Sequence, residues 1–178
     1  TGNRTCFETS DEINFFEMIM NPQTTLKEVI TFQGKALFTG VDVSVKLIPA
    51  APDMGIVFRR VDLPGSPEIP AKTENVIEAI RTTKIGVGGA SVQTVEHFMA
   101  ALFACKVNNL IVEISGPEMP IFDGSSLPFI ELIEKAGILE QDKEQPIYLL
   151  ENPCSFTVGE THVIALPAEE FRISYTLH

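Results

Sequence analysis

Positive charge is scarce in this sequence. Lys and Arg total 13 against 24 Asp and Glu, which gives the 178-residue chain a formal charge of −11 and a pI near 4.7. Proteins that bind duplex nucleic acid gain most of their free energy by neutralising phosphates with a basic face, and this chain would repel the polyanion instead. No nucleic-acid partner is therefore expected, although a few local cations could still hold a small anion. Cysteine is also sparse. Cys6, Cys105 and Cys154 are widely spaced and form no CxxC pair, a pattern of free thiols in a reducing compartment and not of a disulfide frame or a cysteine-ligated zinc. Long apolar runs are missing as well: the best candidate, Phe98 to Cys105, falls far short of the roughly 18 residues a membrane span requires. What the chain does contain is 44% hydrophobic residues, 21% charged residues and a mean hydropathy of +0.16. That is enough to bury a core, and it excludes disorder except at the ends. At roughly 100–200 residues per domain, the length allows one domain or a domain and a half.

The two ends read differently from the body. The chain opens on Thr1, and residues 1–19 have a mixed, acidic character with an apolar cluster at Phe15, Phe16, Met18 and Ile19. A signal peptide would need a basic start and a clean apolar centre, and neither is present. We read 1–19 as a non-native or disordered extension with Met20 as the native start; the alternative is a genuine N-terminal helix. At the other end, Phe171 to His178 alternates like a half-buried strand and stops at the last residue, as a truncated chain would.

Between the ends, periodicity predicts the order of elements. From Thr25 the pattern has period two: Val29, Thr31 and Gln33 alternate with Ile30 and Phe32, and a strand follows over Val43 to Ile48. Pro49 to Gly55 reads as a loop, Ile56 to Phe58 as a strand, and Leu63 to Pro67 as turn punctuation. Val76 to Ile85 reads as further strand, and Gly86 to Gly89 as a turn into Ala90 to Gln93. The period then changes. Val95, Phe98, Met99 and Leu102 fall at i, i+3, i+4 and i+7, predicting a helix from Thr94, as N-cap, to about Cys105. A strand over Leu110 to Ile114 comes next, then a helix bearing Phe129, Leu132, Ile133 and Ala136 that stops at Gly137. Glu140 to Gln145 reads as a polar linker, followed by strand-like runs at 147–150, 154–158, 162–166 and 171–177. The class is α+β: a two-layer sandwich of a mainly antiparallel sheet with a helix pair on one face, followed by a truncated second domain of similar type. The expected domains are 20–140 for the first and 146–178 for the beginning of the second.

Few motifs carry chemistry unaided. Gly86-Val-Gly-Gly89 lacks both the Gly-Lys-Ser/Thr ending of a P-loop and the GxGxxG spacing, so a hairpin turn is the better reading than a phosphate loop. Thr94-Val-Glu-His97 admits two readings. An imidazole beside a carboxylate can provide a metal ligand and a general base, but an acid in the first turn of a helix also suits the helix dipole, with the histidine a surface residue. Catalytic zinc needs about three protein ligands, and neither His162 nor His178 pairs with His97 at helical spacing. Asp123-Gly-Ser-Ser126 reads as an Asp-Gly turn into a Ser-capped helix with Pro128 in its first turn. Arg59-Arg60 reads as a solvated pair at a strand end, and Cys105 as a packing thiol.

Taken together, several segments resemble one family, the zinc-dependent UDP-3-O-acyl-N-acetylglucosamine deacetylases of lipid A biosynthesis. They are Thr25-Leu-Lys27 with Phe32-Gln-Gly34, Ala36 to Gly40, Arg81-Thr-Thr83, Val92-Gln-Thr-Val-Glu-His97 with Met99 to Leu102, Asn108 to Glu113, and Gly116-Pro-Glu-Met-Pro-Ile-Phe-Asp-Gly-Ser125. The resemblance runs from about Met20 to the end and implies two similar α+β domains with an active site between them. It implies that His97 is a zinc ligand and Glu96 the general base. It also implies that the remaining ligands, a His and an Asp in a His-Lys-x-x-Asp pattern, and a later catalytic His, belong to a second domain beyond residue 178. The fragment alone should then be inactive. The implied reaction is hydrolysis of the N-acetyl amide of UDP-3-O-(3-hydroxyacyl)-N-acetylglucosamine in the cytoplasm, with Zn2+ as cofactor and with Ile80, Arg81 and Thr82 near the substrate. The chain departs from the family at Leu37-Phe38-Thr39-Gly40, where relatives commonly have Leu-His-Ser/Thr-Gly. Two other readings remain: a non-catalytic binding module of the same fold, or the N-terminal part of a deacetylase fused to a 3-hydroxyacyl carrier protein dehydratase.

Overall fold

Alternating apolar side chains along short strands, interrupted by two helical stretches, fold into the following order in the computed structural model, which describes residues 3–6, 21–146 and 150–176. The strands before the first helix are β1 (Asn3–Cys6), β2 (Pro22–Leu26), β3 (Ile30–Lys35), β4 (Asp42–Pro49), β5 (Ile56–Arg60), β6 (Glu68–Pro70), β7 (Val76–Glu78), β8 (Lys84–Val87) and β9 (Ala90–Gln93). Then come α1 (Glu96–Ala104), β10 (Leu110–Ile114), α2 (Leu127–Ala136), β11 (Ile138–Glu144), β12 (Cys154–Val158) and β13 (Thr161–Ala165). The chain divides into two compact units, one comprising Met20–Gln145 and the other Thr1–Ile19 with Pro146–His178.

The unit Met20–Gln145 is built on a five-stranded sheet of order β3-β4-β10-β5-β6. All neighbours are antiparallel except β10 and β5, which run parallel with Leu110 opposite Ile56 and Ile114 opposite Arg60. One face of this sheet buries Val43, Val45 and Leu47 of β4 and Leu110, Val112 and Ile114 of β10, as period-two alternation requires. Against them α1 places Phe98, Ala101 and Leu102, and α2 places Phe129, Ile133 and Ala136, in one continuous core. Phe98 joins the layers: its ring lies 6.2 Å from Phe58 on the sheet and 5.4 Å from Phe129 on α2, edge to face in both cases. Such pairs contribute about 0.5–1.5 kcal/mol each beyond area burial.

A separate three-stranded sheet, β7-β8-β9, carries the chain into α1. Its β8–β9 hairpin closes through Gly88 and Gly89, with φ of 58° and 88°, beneath the pair Val87 and Ala90. Two successive positive φ values define the two-residue turn whose twist matches the flanking strands, so the glycine run is a hairpin, as its sequence suggests.

Other expectations need correction. Val76 to Ile85 is not one strand, because β7 and β8 fold back on each other around residues 79–83, where Arg81 takes φ 62°. Glu140 to Gln145 is not a linker. Most of it belongs to β11, which pairs with β2; β2 buries Gln23 to Leu26 and needs a hydrogen-bonding neighbour, and a charged sequence suits a solvated edge strand. Arg59 and Arg60 are not a solvated pair. Arg59 binds Glu68 and Glu113, while Arg60 is buried between Asp62 and the Ser91 carbonyl.

In the second unit, β12 pairs with β13 through a turn at Gly159 and with β1 on its other side, all antiparallel. The expected strand at 171–177 does not form over residues 171–176, which are exposed and outside any ladder; alternation without a partner strand makes no sheet. The expected strand at 147–150 and most of the 1–19 extension lie outside the described residues. No helix among those described is long and apolar enough to cross a membrane.

Candidate active site

The start of α1 is fixed by the strand that precedes it. Gln93, the last residue of β9, donates its N–H to the Pro117 carbonyl at 2.9 Å and accepts from the Met119 N–H at 3.0 Å, so the segment 117–119 lies alongside the end of β9. The next residue, Thr94, is buried and has φ 57°, a conformation that costs a β-branched residue of order 1–3 kcal/mol and persists only when its surroundings enforce it. Here they do. The Thr94 N–H donates to Thr82 Oγ1 at 2.9 Å, the two hydroxyls are 3.1 Å apart, and the Thr94 hydroxyl donates to Glu118 Oε1 at 3.0 Å. Thr94 is therefore not the N-cap its position suggests. The capping position is Val95, without a side-chain cap, and the helix spans Glu96–Ala104.

Glu96 and His97 thus open α1 side by side. Glu96 Oε2 accepts the Thr83 N–H at 3.1 Å, and its place in the first turn is favoured by the helix dipole. That bond orients the carboxylate and leaves lone pairs on both oxygens to accept a proton. His97 is half-buried, and its imidazole makes no hydrogen bond to another described residue. The loop 79–83 approaches this point through Thr82, bonded to Thr94, and through the Thr83 N–H. Of the other loop residues singled out in the sequence, Ile80 is 76% exposed and Arg81 is also exposed. The structure accordingly brings Glu96, His97 and Thr82 together at the head of α1, while Ile80 and Arg81 stand outward on the same loop.

Sequence reasoning missed Glu118. It is completely buried, and four donors converge on it: the Phe38 N–H at 2.9 Å, the Thr39 N–H and hydroxyl at 2.8 Å each, and the Thr94 hydroxyl. Burial is the largest single influence on this carboxyl and pushes its pKa up, but the four hydrogen bonds together outweigh it and hold the group below its ordinary value. One signal was available, since Glu118 is the sole ionisable residue in the apolar run Gly116 to Phe122, between two prolines. Asp123 nearby does what its sequence suggests: it accepts the Ser125 N–H and hydroxyl in a turn before α2, and the Ser125 hydroxyl takes the Leu127 N–H. The adjoining Ser126, at the capping position, makes no side-chain bond.

Among the described residues no three His, Cys, Asp or Glu side chains are grouped to hold a metal. His97 has the donor chemistry that zinc takes, and its ring has no hydrogen-bond partner among the described residues, but it is one ligand where about three are needed.

Residues 23–178 match the family described as UDP-3-O-acyl N-acetylglycosamine deacetylase, LpxC. The chain belongs to this deacetylase family. It is 41% identical over 156 residues to the UDP-3-O-acyl-N-acetylglucosamine deacetylase of Geotalea uraniireducens, covering 88% of this chain and 51% of the relative. Identically named proteins of Myxococcus xanthus and Xanthomonas campestris are each 42% identical, over 87% and 89% of this chain and 49% and 52% of their own lengths. The chain spans about half the length of the curated relatives it matches.

Proposed function

We propose that the full-length protein containing this chain is a zinc-dependent amidohydrolase that removes the N-acetyl group from UDP-3-O-(3-hydroxyacyl)-N-acetylglucosamine in lipid A biosynthesis, acting in the cytoplasm. The observation that carries this reading is the head of α1, where a carboxylate oriented by the Thr83 N–H adjoins an imidazole with no hydrogen bond among the described residues, in a chain of the deacetylase family. In this reading residues 20–140 form the first domain and 146–178 open the second, which extends past His178 and supplies the other metal ligands.

His97 would be this chain's contribution to the zinc site. A zinc ion held there would supply Lewis acidity, lowering the pKa of a bound water and polarising the amide carbonyl. Glu96 takes the proton from the attacking water. Its carboxylate is pre-oriented by the backbone bond and so loses little freedom on reaching the reactive geometry. The loop bearing Ile80, Arg81 and Thr82 meets the substrate: Ile80 offers apolar surface to the acyl chain, Arg81 a cation, and Thr82 anchors the loop to the site.

The test uses the full-length protein. Glu96→Ala should abolish acetate release while zinc content stays near one per chain, and His97→Ala should lower zinc affinity. Near-normal turnover by Glu96→Ala would refute the role assigned to it.

A further inference from the structure

We infer that Glu118 is a positioning residue for the head of α1: its buried carboxylate ties the 37–39 turn to Thr94 and so fixes where Glu96 and His97 stand. The inference rests on the deacetylase reading for its catalytic consequence and on geometry alone for the latch itself.

Glu118 Oε1 receives the Phe38 N–H and the Thr94 hydroxyl, while Oε2 receives the Thr39 N–H and the Thr39 hydroxyl. Each oxygen faces one backbone N–H, which can only donate, so both oxygens must be acceptors. An ionised carboxylate, with lone pairs alone on both oxygens, accepts all four donors at once, and the amide of glutamine cannot. The order propagates outward. Thr94 has given its only hydroxyl proton to Glu118, so in the contact between the two threonine hydroxyls Thr82 is the donor. Thr82 Oγ1 in turn accepts the Thr94 N–H. Thr94 is thus held from both sides in its left-handed conformation, two residues before α1 begins.

The backbone around Glu118 is itself clamped. Met119 bonds Gln93 at the end of β9, Pro120 bridges Ala36 at the end of β3, and the Ile121 N–H meets the Lys35 carbonyl at 3.0 Å. At Gly34 an added Cβ would come within 2.7 Å of Pro120 Cβ, so the 117–121 segment presses directly on β3. Glu118 therefore sits at a rigid point between the strand that leads into the 37–39 turn and the strand that leads into α1. A group in that place transmits position and need not touch substrate.

Glu118→Gln in the full-length protein is the direct test. Whichever way the amide is turned, its NH2 opposes a backbone N–H. Amide exchange at Phe38 and Thr39 should become at least tenfold faster, and kcat should fall at least tenfold with KM within about twofold and zinc content unchanged. Ile133→Val, a core change on α2, serves as a control for general destabilisation and should leave kcat and the Phe38 and Thr39 amides near wild type. If Glu118→Gln does not fold, Thr39→Ala removes one of the four bonds and should give the same changes in smaller degree. Unchanged exchange in the variant that folds would overturn the latch. A kcat loss reproduced by Ile133→Val would overturn the positioning role. An inactive wild-type protein would instead sink the deacetylase reading, and the exchange comparison would still decide the latch.

Discussion

Asn109 is the residue whose loss the structure prices most directly. Only 1% exposed, it opens the approach to β10 and through its side chain bonds β2, β11 and the loop before β5. Its Oδ1 accepts the Gly55 N–H at 2.8 Å, and its Nδ2 donates to Gln23 Oε1 at 2.8 Å and to Gln141 Oε1 at 2.7 Å. On Asn109→Ala, Gln23 Oε1 keeps its bond from the Asp53 N–H, but the Gly55 N–H and Gln141 Oε1 lose the partners they have. A fully buried stranded group costs about 1–3 kcal/mol, and the Gly55 N–H and the Gln141 oxygen, both half-buried, each lie toward the low end because water can reach them. With the lost packing, the expected deficit is about 3 kcal/mol, and for a unit the size of Met20–Gln145 that lowers the midpoint by about 11 °C. The chain has no Trp and its two tyrosines, Tyr148 and Tyr175, lie outside this unit, so far-UV circular dichroism under heat or urea is the assay. Asn109→Asp sharpens it. The new carboxylate would keep the Gly55 bond while facing two glutamine oxygens that their own bonds hold in place. Its folded pKa is then raised above the unfolded value of about 3.9. A raised pKa means stability present below about pH 4 and lost as pH climbs toward the folded value. The aspartate variant should therefore approach wild type in acid and fall away at neutral pH. An Asn109→Ala deficit below about 1 kcal/mol, or an aspartate variant weakest in acid, would refute this account.

Other consequences follow from single contacts. Glu118 has its folded pKa depressed, so the stability it contributes is present above the unfolded value of about 4.3 and lost as pH falls through the folded one; Glu118→Gln should flatten the acid limb of urea midpoints measured from pH 6 downward. Gly34→Ala should cost about 1–3 kcal/mol by chemical denaturation, because the added methyl meets the rigid ring of Pro120 at 2.7 Å. Gly89→Val, at φ 88° in the β8–β9 turn, should cost about 1–2 kcal/mol, whereas Gly88→Asn at φ 58° should be nearly neutral. Burial, aided by the nearby Glu134 charge, raises the Cys105 thiol pKa, so in the native state iodoacetamide should alkylate it more slowly at pH 8 than after unfolding.

The sequence by itself determined the parts of this protein that depend on local periodicity and local chemistry. Alternation along β4 and β10, the i, i+3, i+4 pattern in α1, and the Gly88-Gly89 turn are each readable because neighbouring residues on one strand or helix face share one environment. The family, and with it the pairing of Glu96 with His97, was legible for the same reason, since those residues are adjacent in a short motif. What only the tertiary structure decided are the roles set by partners distant in the chain. The charged run of β11 looks like a linker until β2 demands a hydrogen-bonding neighbour, and Arg60 looks solvated until Asp62 and the Ser91 carbonyl close over it. Thr94 reads as a helix cap, and its hydroxyl belongs instead to Glu118, 24 residues away. Glu118 stands out in sequence only as a lone acid in an apolar run, and nothing in that run reveals that donors from Phe38, Thr39 and Thr94 will converge on it. Periodicity records which face of an element is apolar. Which donors meet a buried acceptor depends on strand order and register, and those form only when the sheet does.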